Sequence, residues 1–416
     1  MAARPSPADA EQSTTVRSLD EAPFVNPFDP AVQADPEPVF DRLRAQTAVV
    51  RTPLGASVLR RDPAHRLLGD PRLVSAVPML AQAQTGGANP EMLGETILGM
   101  DGADHTRLRR LVARSFTPRA ADRHRATMRT LANTLVDAFE PRGECEFVTA
   151  FADHYPIEVM CEVLGVPGHD HPLFARWGDS LTYVLSLELG NHLEEVNRAA
   201  DELGSYVDAL VENRRGSPQD DLVTELVQAS EEGDRLSASE LRTMIASLLF
   251  AGYDTTRNQL GHAMFAFAHH PDQWRLLGQH PELANHAVDE VMRMHNAVVG
   301  VPRLSTNEVD VEGWTIPPNT VVFLSIASAN RDESYFEDPL RFDITVERPA
   351  NLSFGGGPHY CLGANLARAE MAEALQILSR RLPGLRLAGD VAWRADTGIT
   401  GPTRLPIAFD PSSPAS

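Results

Sequence analysis

The chain has 416 residues, 43% of them hydrophobic and 23% charged, which is typical of a globular protein that buries a substantial core. Its formal net charge of −20 disfavours nucleic-acid binding, because such a surface repels polyphosphate. All 37 cationic residues are arginines, which excludes chemistry that needs a lysine, such as a Schiff base or a phosphate-loop lysine.

Helical periodicity dominates the chain and predicts a mainly α fold with a minor β part. A helix over residues 37–46 precedes two predicted strands, 49–52 and 56–60. Residues 76–102 are rich in Gly, Pro, Ala and Met, and a stretch of that length without periodicity predicts a mobile loop. The next predicted helices span residues 105–115, 118–140, 157–164, 171–187 and 192–215.

The longest predicted helix has a well-formed start. Ser237-x-x-Glu240 is the pattern of a capping box, and the apolar residues behind it recur at helical spacing. Pro271 predicts that this helix ends at His269 or His270. The remaining predicted elements are a helix over 281–294, strands at 309–311 and 320–324, and a final helix over 361–381.

The chain is predicted to be one domain, residues 25–416, because no internal repeat or long low-complexity linker interrupts it. Residues 1–24 are predicted to be a disordered tail. The first residues are polar and form no signal segment, and no apolar run reaches the ~20 residues that cross a bilayer. We therefore expect a cytoplasmic monomer without membrane contact.

The segment richest in chemical information is a glycine-rich loop from Phe354 to Cys361, where the final helix is predicted to begin. Its glycines would let the backbone approach a flat ligand, and a helix N-terminus stabilises a thiolate, so a lowered pKa is predicted for Cys361. A zinc site would need clustered ligands, and only His359 is nearby. A nucleophilic cysteine and an inert buried cysteine remain as alternatives.

The pattern Phe354-x-x-Gly357-x-His359-x-Cys361-x-Gly363 resembles the haem-binding signature of the cytochromes P-450, the haem-thiolate monooxygenases. The order and spacing of motifs agree with that family over nearly the whole chain. The resemblance implies a cytochrome P-450 fold, with haem b sandwiched between the long central helix and the C-terminal loop and helix. It also implies that Cys361 is the axial iron ligand.

A second motif, Ala251 to Thr256, lies in the middle of the long helix. Gly, Asp and Thr are poor helix-interior residues, so their clustering indicates either a function or a simple helix kink. Gly252 would let a ligand approach the backbone. The segment resembles the family's acid–alcohol pair, which implies that Asp254 relays protons and that Thr255 stabilises the activated oxygen. The residues that would border the haem are Phe354, Gly355, Gly363, Ala251 and Gly252.

Glu290 and Arg293 lie at i,i+3 in the helix over 281–294, a spacing that most often marks a solvated surface pair. In the family that the chain resembles, this pair is buried, structural and joined by a third arginine. That arginine usually follows Phe-Asp-x-x, but Val346 stands there in this chain. Arg348, two residues later, is the predicted substitute.

His105 and Arg109 lie at i,i+4 on one helix, a spacing that also fits a solvated basic face or a phosphate site. The resemblance implies instead that they bind the haem propionates by charge-assisted hydrogen bonds, together with Arg303 and His359. A basic patch that docks an acidic ferredoxin is predicted from the neighbouring Arg107, Arg110 and Arg114.

The resemblance also implies a substrate pocket above the haem. The side chains predicted to line it are mostly aliphatic, which favours a hydrophobic substrate and an adaptable pocket, although each is also a plausible core residue. They are Met79, Leu80, Met92, Leu98, Leu181, Val184, Leu248, Ala251, Val298, Val299, Ile399 and Thr400.

The resemblance implies a monooxygenase that inserts one oxygen atom of O₂ into a hydrophobic small molecule, such as a terpenoid, steroid, fatty acid or polyketide. Electrons would come from NAD(P)H through ferredoxin reductase and ferredoxin. The alternative is a haem-thiolate peroxygenase, isomerase or oxidative coupling enzyme, and the intact Asp254–Thr255 pair argues against a pure peroxygenase. A non-haem thiol enzyme or a structural helical protein is the third possibility.

Overall fold

The computed structural model describes residues 17–86, 96–186, 188–231, 236–394 and 398–410. Over these ranges helices predominate and strands are short, as the periodicity predicts. The α-helices are α1 Pro30–Ala34, α2 Pro36–Gln46, α3 Arg61–Leu67, α4 Val77–Gln84, α5 Gly102–Val112, α6 Pro118–Arg123, α7 Arg125–Asp137, α8 Tyr155–Leu164, α9 His171–Leu181, α10 Leu189–Gly216, α11 Leu222–Glu231, α12 Ala238–His269, α13 Pro271–Gln279, α14 Ala284–Met294, α15 Ile326–Ala329 and α16 Ala364–Arg381.

The largest sheet of the described residues has five strands in the order β2-β3-β9-β6-β4. β3 and β9 are parallel and the other neighbours are antiparallel, so the sheet joins the N-terminal part of the chain to the segment after α14. Smaller sheets have the orders β1-β8-β7, β10-β13-β5 and β11-β12. The strands are β1 Arg17–Ser18, β2 Val49–Thr52, β3 Gly55–Val58, β4 Leu73–Ser75, β5 Glu144–Glu146, β6 Val301–Ser305, β7 Val309–Val311, β8 Trp314–Ile316, β9 Val321–Leu324, β10 Arg386–Leu387, β11 Ala392–Trp393, β12 Pro402–Arg404 and β13 Pro406–Ala408.

The long helix α12 runs through the main hydrophobic core, and most of its side chains are buried. Its predicted start is confirmed, because the Ser237 hydroxyl accepts the Glu240 N–H and the Glu240 carboxylate accepts the Ser237 N–H. α12 packs against α8, α9, α10 and α16. Of the polar residues in its middle, Asp254 and Thr256 are buried, whereas Thr255 is half-buried.

Two predicted boundaries in the first half of the chain are wrong. Residues 76–102 are not all loop, because α4 occupies Val77–Gln84 with Pro78 in its first turn, a position that proline favours. Residues 87–95 lie outside the described ranges. The helix predicted over 118–140 is broken at His124, where the backbone ends α6 before α7 begins.

Two further helices differ from the prediction at their ends. The helix predicted over 171–187 is α-helical to Leu181 and then tightens into a 3₁₀ turn. The final helix begins at Ala364, because the Cys361 N–H turns back and donates to the Phe354 carbonyl over 2.8 Å. Cys361 consequently lies in the turn before α16 and not at its first residue.

The predicted N-terminal tail is too long. Arg17 and Ser18 form a parallel strand pair with Trp314 and Thr315, and the Arg17 guanidinium lies 3.8 Å from the Trp314 ring centroid. Cation–π contact and backbone pairing together anchor this segment to the sheet. Residues 1–16 lie outside the described ranges. Among the helices of the described chain, none is long and apolar enough to cross a membrane.

Candidate active site

The glycine-rich loop before α16 brings Cys361 beside Phe354. Gly355 and Gly357 have φ angles of +70° and +62°, a left-handed backbone that glycine adopts without strain. A Cβ on Gly357 would also collide with the carbonyl oxygen of Leu68. These two glycines therefore fix the position of the Cys361 thiol relative to the rest of the protein.

The pKa prediction for Cys361 is wrong for the protein alone. Desolvation by the surrounding atoms raises the pKa of this thiol above its ordinary value, although the Gly363 N–H and the charges of Arg109 and Arg368 act in the opposite direction. Because α16 begins at Ala364, Cys361 lies before the first turn, and desolvation prevails over the N-terminal end of the helix. A metal cation at the sulfur would favour the thiolate.

The two histidines and two arginines that the sequence singles out converge beside this loop. The rings of His105 and His359 lie 4.2 Å apart, and the charges of Arg109 and Arg303 act on both histidines. His359 Nε2 is 2.9 Å from Asp101 Oδ1. The fold thus brings histidine and arginine side chains of α5, β6 and the Cys361 loop together in one cluster.

Burial leaves this cluster short of anionic partners. Desolvation, with the charges of His359 and Arg109, lowers the pKa of His105 to about 4, and desolvation also lowers the pKa of Arg303. His105 Nε2 is buried without a hydrogen-bond partner among the described residues. Arg303 donates to the neighbouring Pro302 carbonyl. Buried unsatisfied donors are costly, and a ligand with two carboxylates would satisfy them.

The surroundings of the cluster suit a flat ligand on a single sulfur. Ala251 is exposed although the helix around it is buried, and a Cβ added to Gly363 would meet no atom within 4 Å. Phe354 is buried, with the Arg368 guanidinium 4.4 Å from its ring centroid. The described residues contain no group of three or more His, Cys, Asp or Glu side chains that could hold a metal ion, so they form no zinc site of that kind.

Gly252 has a different role from the one predicted. A Cβ at this position would collide with Met160 Sδ, and the Met160 side chain is itself buried. The glycine therefore allows α12 to pack closely on α8. The expectation that Gly252 opens the backbone to a ligand is corrected by this contact.

The middle of α12 holds the two polar residues of the acid–alcohol motif in different surroundings. Thr255 is half-buried, and its hydroxyl donates to the Ala251 carbonyl oxygen over 2.7 Å, the i−4 bond that such a hydroxyl can exchange for another partner. Asp254 is 1% exposed. The alcohol thus keeps access to open space, whereas the acid is enclosed.

Asp254 has three partners that the sequence motifs do not include. Its Oδ1 accepts hydrogen bonds from the Thr182 hydroxyl at 2.7 Å and from the Asn258 amide at 3.0 Å. The Arg394 guanidinium binds both carboxylate oxygens at 3.1 Å. Asn258 could have been found from its i+4 spacing to Asp254, but Thr182 and Arg394 are 72 and 140 residues away and give no local signal.

The Glu290 pair is a buried network. Arg293 binds Glu290 through Nε and Nη2 at 2.8 and 2.9 Å, and both side chains are at most 4% exposed. Arg348 Nε lies 3.1 Å from Glu290 Oε2, so the third arginine position is filled by this residue. Buried charges require such pairing, and the network ties α14 to the loop that leads to Cys361.

The residues predicted to line the pocket fall into two groups. Val298 pairs with Ile399 in a β-bridge, and the Thr400 N–H donates to the Ala297 oxygen over 2.8 Å, so the strand after α14 and the C-terminal turn do meet. The residues that retain exposed surface are Met79, Leu80, Leu98, Ala251, Val298, Val299 and Thr400.

The second group is packed into the protein. Leu181 has no exposed surface, and Val184 and Leu248 lie with it in the main core, so these three contribute packing and not an open wall. Ile399 is also buried. Met92 lies outside the described residues.

Comparisons with known proteins agree with this architecture. The family model for cytochrome P450 matches residues 171–381. The chain is 38% identical over 402 residues to luteothin monooxygenase of Streptomyces thioluteus, covering 95% of this chain and 98% of that protein. It is 37% identical to mycinamicin IV hydroxylase/epoxidase of Micromonospora griseorubida, covering 86% and 91%. The structure of the bacillaene polyketide synthase cytochrome P450 PksS of Bacillus subtilis 168 superimposes with a TM-score of 0.84 at 32% identity, covering 92% of this chain and 98% of that chain. This chain belongs to the cytochrome P450 family and is a bacterial cytochrome P450 monooxygenase.

Proposed function

We propose that this enzyme uses haem b to insert one oxygen atom of O₂ into a hydrophobic secondary metabolite of the polyketide type: RH + O₂ + 2e⁻ + 2H⁺ → ROH + H₂O. The observation that carries the proposal is the convergence of His105, Arg109, Arg303 and His359 beside the loop of Cys361. Asp101 pairs with His359, whereas His105 Nε2 is buried without a partner among the described residues, and the two propionates of a haem would supply further anionic partners to the cluster. A thiol nucleophile would need no such cluster.

Cys361 would supply the sulfur ligand of the haem iron, since its loop presents one sulfur and Ala251 of α12 is exposed although the helix around it is buried. Gly363 and Gly355 would border the face of the ring on the cysteine side, and buried Phe354 would support the loop below it. Bound there, a haem iron with a thiolate ligand supplies dioxygen binding and O–O cleavage.

Thr255 and Asp254 are the proposed proton-handling residues. The Thr255 hydroxyl can turn from the Ala251 carbonyl and donate to a polar group beside α12. Asp254 is one residue earlier in the helix and carries the carboxylate that takes up and passes on protons. In this role the proton would pass from the acid toward the alcohol, which keeps access to the space beside α12.

The proposed substrate class rests on the walls of the distal side and on the relatives. The aliphatic residues Val298 and Val299 retain partial exposure near the turn at Thr400, which suits a hydrophobic ligand. Relatives named for luteothin and for polyketide biosynthesis favour a polyketide over the other hydrophobic classes.

The proposed electron donor is a ferredoxin, reduced from NAD(P)H by a reductase. Arg110 and Arg114 are exposed on α5 and the turn after it, and they would attract an acidic partner. Arg107, predicted to join them, binds Glu240 and Asp104 instead, so its charge is partly compensated.

The haem assignment is tested by the carbon monoxide difference spectrum of the reduced protein. The wild-type protein should show the absorption band of a thiolate-ligated haem, and Cys361→Ala should lose it. Cys145→Ala is the matched control, because Cys145 is half-buried in β5 and should leave the band unchanged. A band retained by Cys361→Ala would refute the assignment.

The substrate class is tested by titrating the oxidised protein with luteothin and mycinamicin IV, and following the shift of the haem spin state. Binding of luteothin with a low- to high-spin shift and formation of an oxygenated product are expected. If neither compound shifts the spectrum and a fatty acid such as myristic acid does, the polyketide assignment is wrong.

A further inference from the structure

We propose that Arg394 is a positioning residue for Asp254, which it holds together with Thr182 in the orientation that proton transfer requires. The inference rests on the proposed proton-handling role of Asp254. It assigns a function to the C-terminal hairpin of strands β11 and β12, because Arg394 follows β11 directly.

The contacts form a closed network around one carboxylate. Arg394 Nη1 donates to Asp254 Oδ2 and Arg394 Nη2 to Asp254 Oδ1, both at 3.1 Å. Nη2 also donates to the Thr182 hydroxyl at 2.7 Å, and that hydroxyl donates to Asp254 Oδ1 at 2.7 Å. Asn258 completes the set from the next turn of α12. Four donors on two oxygens fix the carboxylate plane.

The same network joins three parts of the distal side. Asp254 belongs to α12, Thr182 follows the last residue of α9, and Arg394 belongs to the hairpin. The Arg394 N–H donates to the Gly401 oxygen over 3.0 Å, next to the turn whose Ile399 pairs with Val298. The orientation of the acid is therefore linked to a wall of the proposed substrate pocket.

Burial gives this pairing its effect. A bidentate arginine–carboxylate pair has a defined geometry, and Asp254 has almost no contact with water. Without Arg394, a carboxylate at this position would lose its counter-charge and two of its four hydrogen bonds, and it would turn away from this orientation. It would then no longer exchange protons at the position beside Thr255.

The first experiment tests the pairing itself by thermal unfolding of the haem-loaded protein. Arg394→Gln and Asp254→Asn should each lower Tm. The decrease in Tm of the double variant should be clearly smaller than the sum of the two single decreases. Additive losses would show that the two side chains do not interact in solution, which would overturn the proposal.

The second experiment measures proton delivery as hydrogen peroxide released per NADH oxidised, with ferredoxin and its reductase, first without added substrate and then with luteothin. Arg394→Gln and Thr182→Val should release at least twice as much peroxide as the wild type. Thr182→Ser, which keeps the hydroxyl, should restore the wild-type ratio, which a loss of packing alone would not do.

Arg214→Gln is the matched control. Arg214 is a buried arginine of α10 that pairs with Asp221 and takes no part in the Asp254 network, so the peroxide ratio should stay at the wild-type value. In the Asp254→Asn background, Arg394→Gln should cause no further increase, because its effect passes through Asp254.

The outcomes separate this inference from the proposed function. If Asp254→Asn leaves the peroxide ratio unchanged, the proton-handling role of Asp254 is wrong, and the inference fails with it. If Asp254→Asn raises the ratio but Arg394→Gln does not, the role of Asp254 stands and the role of Arg394 is refuted.

Discussion

Met160 Sδ lies where a Cβ on Gly252 would have to be, so the backbone of α12 touches the side chain of α8. Met160 is 2% exposed and has little freedom to move away. This contact sets how closely α12 approaches α8 two residues before Asp254. The position of the acid–alcohol motif thus depends on a glycine that serves packing and not ligand approach.

The overpacking caused by Gly252→Ala is therefore expected to cost about 1–3 kcal/mol of unfolding free energy. The higher helix propensity of alanine offsets about 1 kcal/mol of this cost. The measurement is the free energy of unfolding in urea. Gly216→Ala is the control, since a Cβ at the end of α10 would meet no atom within 4 Å. Equal stability of Gly252→Ala and Gly216→Ala, which both gain helix propensity, would contradict the packing argument.

The sequence predicts local features of this molecule well. Short stretches of sequence are enough to predict the capping box of Ser237 and Glu240, the helical periodicity of α12 and the glycine-rich turn before Cys361. Each depends on hydrogen bonds or backbone angles within a few residues. The fold class follows from such features and is confirmed by the comparisons.

The parts that could not be predicted depend on distant contacts. The Arg394 guanidinium reaches Asp254 across 140 positions, and nothing near either residue marks the pair. The role of Gly252 likewise depends on Met160 of another helix. The pKa of Cys361 is set by desolvation, which depends on how the whole loop packs. Tertiary surroundings decide each of these properties.

Gln259 links α12 to the segment between α14 and β6, and removing its amide group should lower the free energy of unfolding. Its amide donates to the His295 oxygen at 2.7 Å and accepts the Ala297 N–H at 2.9 Å. Gln259→Met keeps the volume but leaves both backbone groups unsatisfied, so a loss of about 2 kcal/mol is expected. Chemical unfolding measures it, with Gln279→Met at the exposed end of α13 as control. If Gln259→Met lowers the free energy of unfolding no more than Gln279→Met does, the two hydrogen bonds of Gln259 do not contribute to stability.

Glu370 should make the stability of the protein fall as the pH rises. Its side chain is completely buried in α16 and Oε1 lacks a partner among the described residues, so desolvation raises its pKa well above 4.5. The folded state therefore holds a proton that the unfolded state releases, and the stabilisation is complete below pH 4.5 and lost as the pH rises toward the folded pKa.

Glu370→Gln removes this titration, so the unfolding free energy of the variant should exceed that of the wild type by more at pH 8 than at pH 5. Urea unfolding at both pH values gives the difference. Parallel stability profiles for the two proteins would mean that Glu370 is not protonated in the folded state.

Thr255→Ala should uncouple NADH oxidation from oxygenation, because the hydroxyl now bonded to Ala251 would no longer be available to hold a proton at the reacting oxygen. With luteothin as the test compound, the peroxide released per NADH oxidised should rise severalfold, because loss of a positioned proton donor slows proton transfer by about 10²–10⁴-fold. Thr255→Ser should retain coupling. Thr256→Ala is the matched control, since Thr256 is the adjacent but buried threonine. If Thr255→Ala releases no more peroxide than the wild type, Thr255 takes no part in proton delivery and Asp254 acts without it.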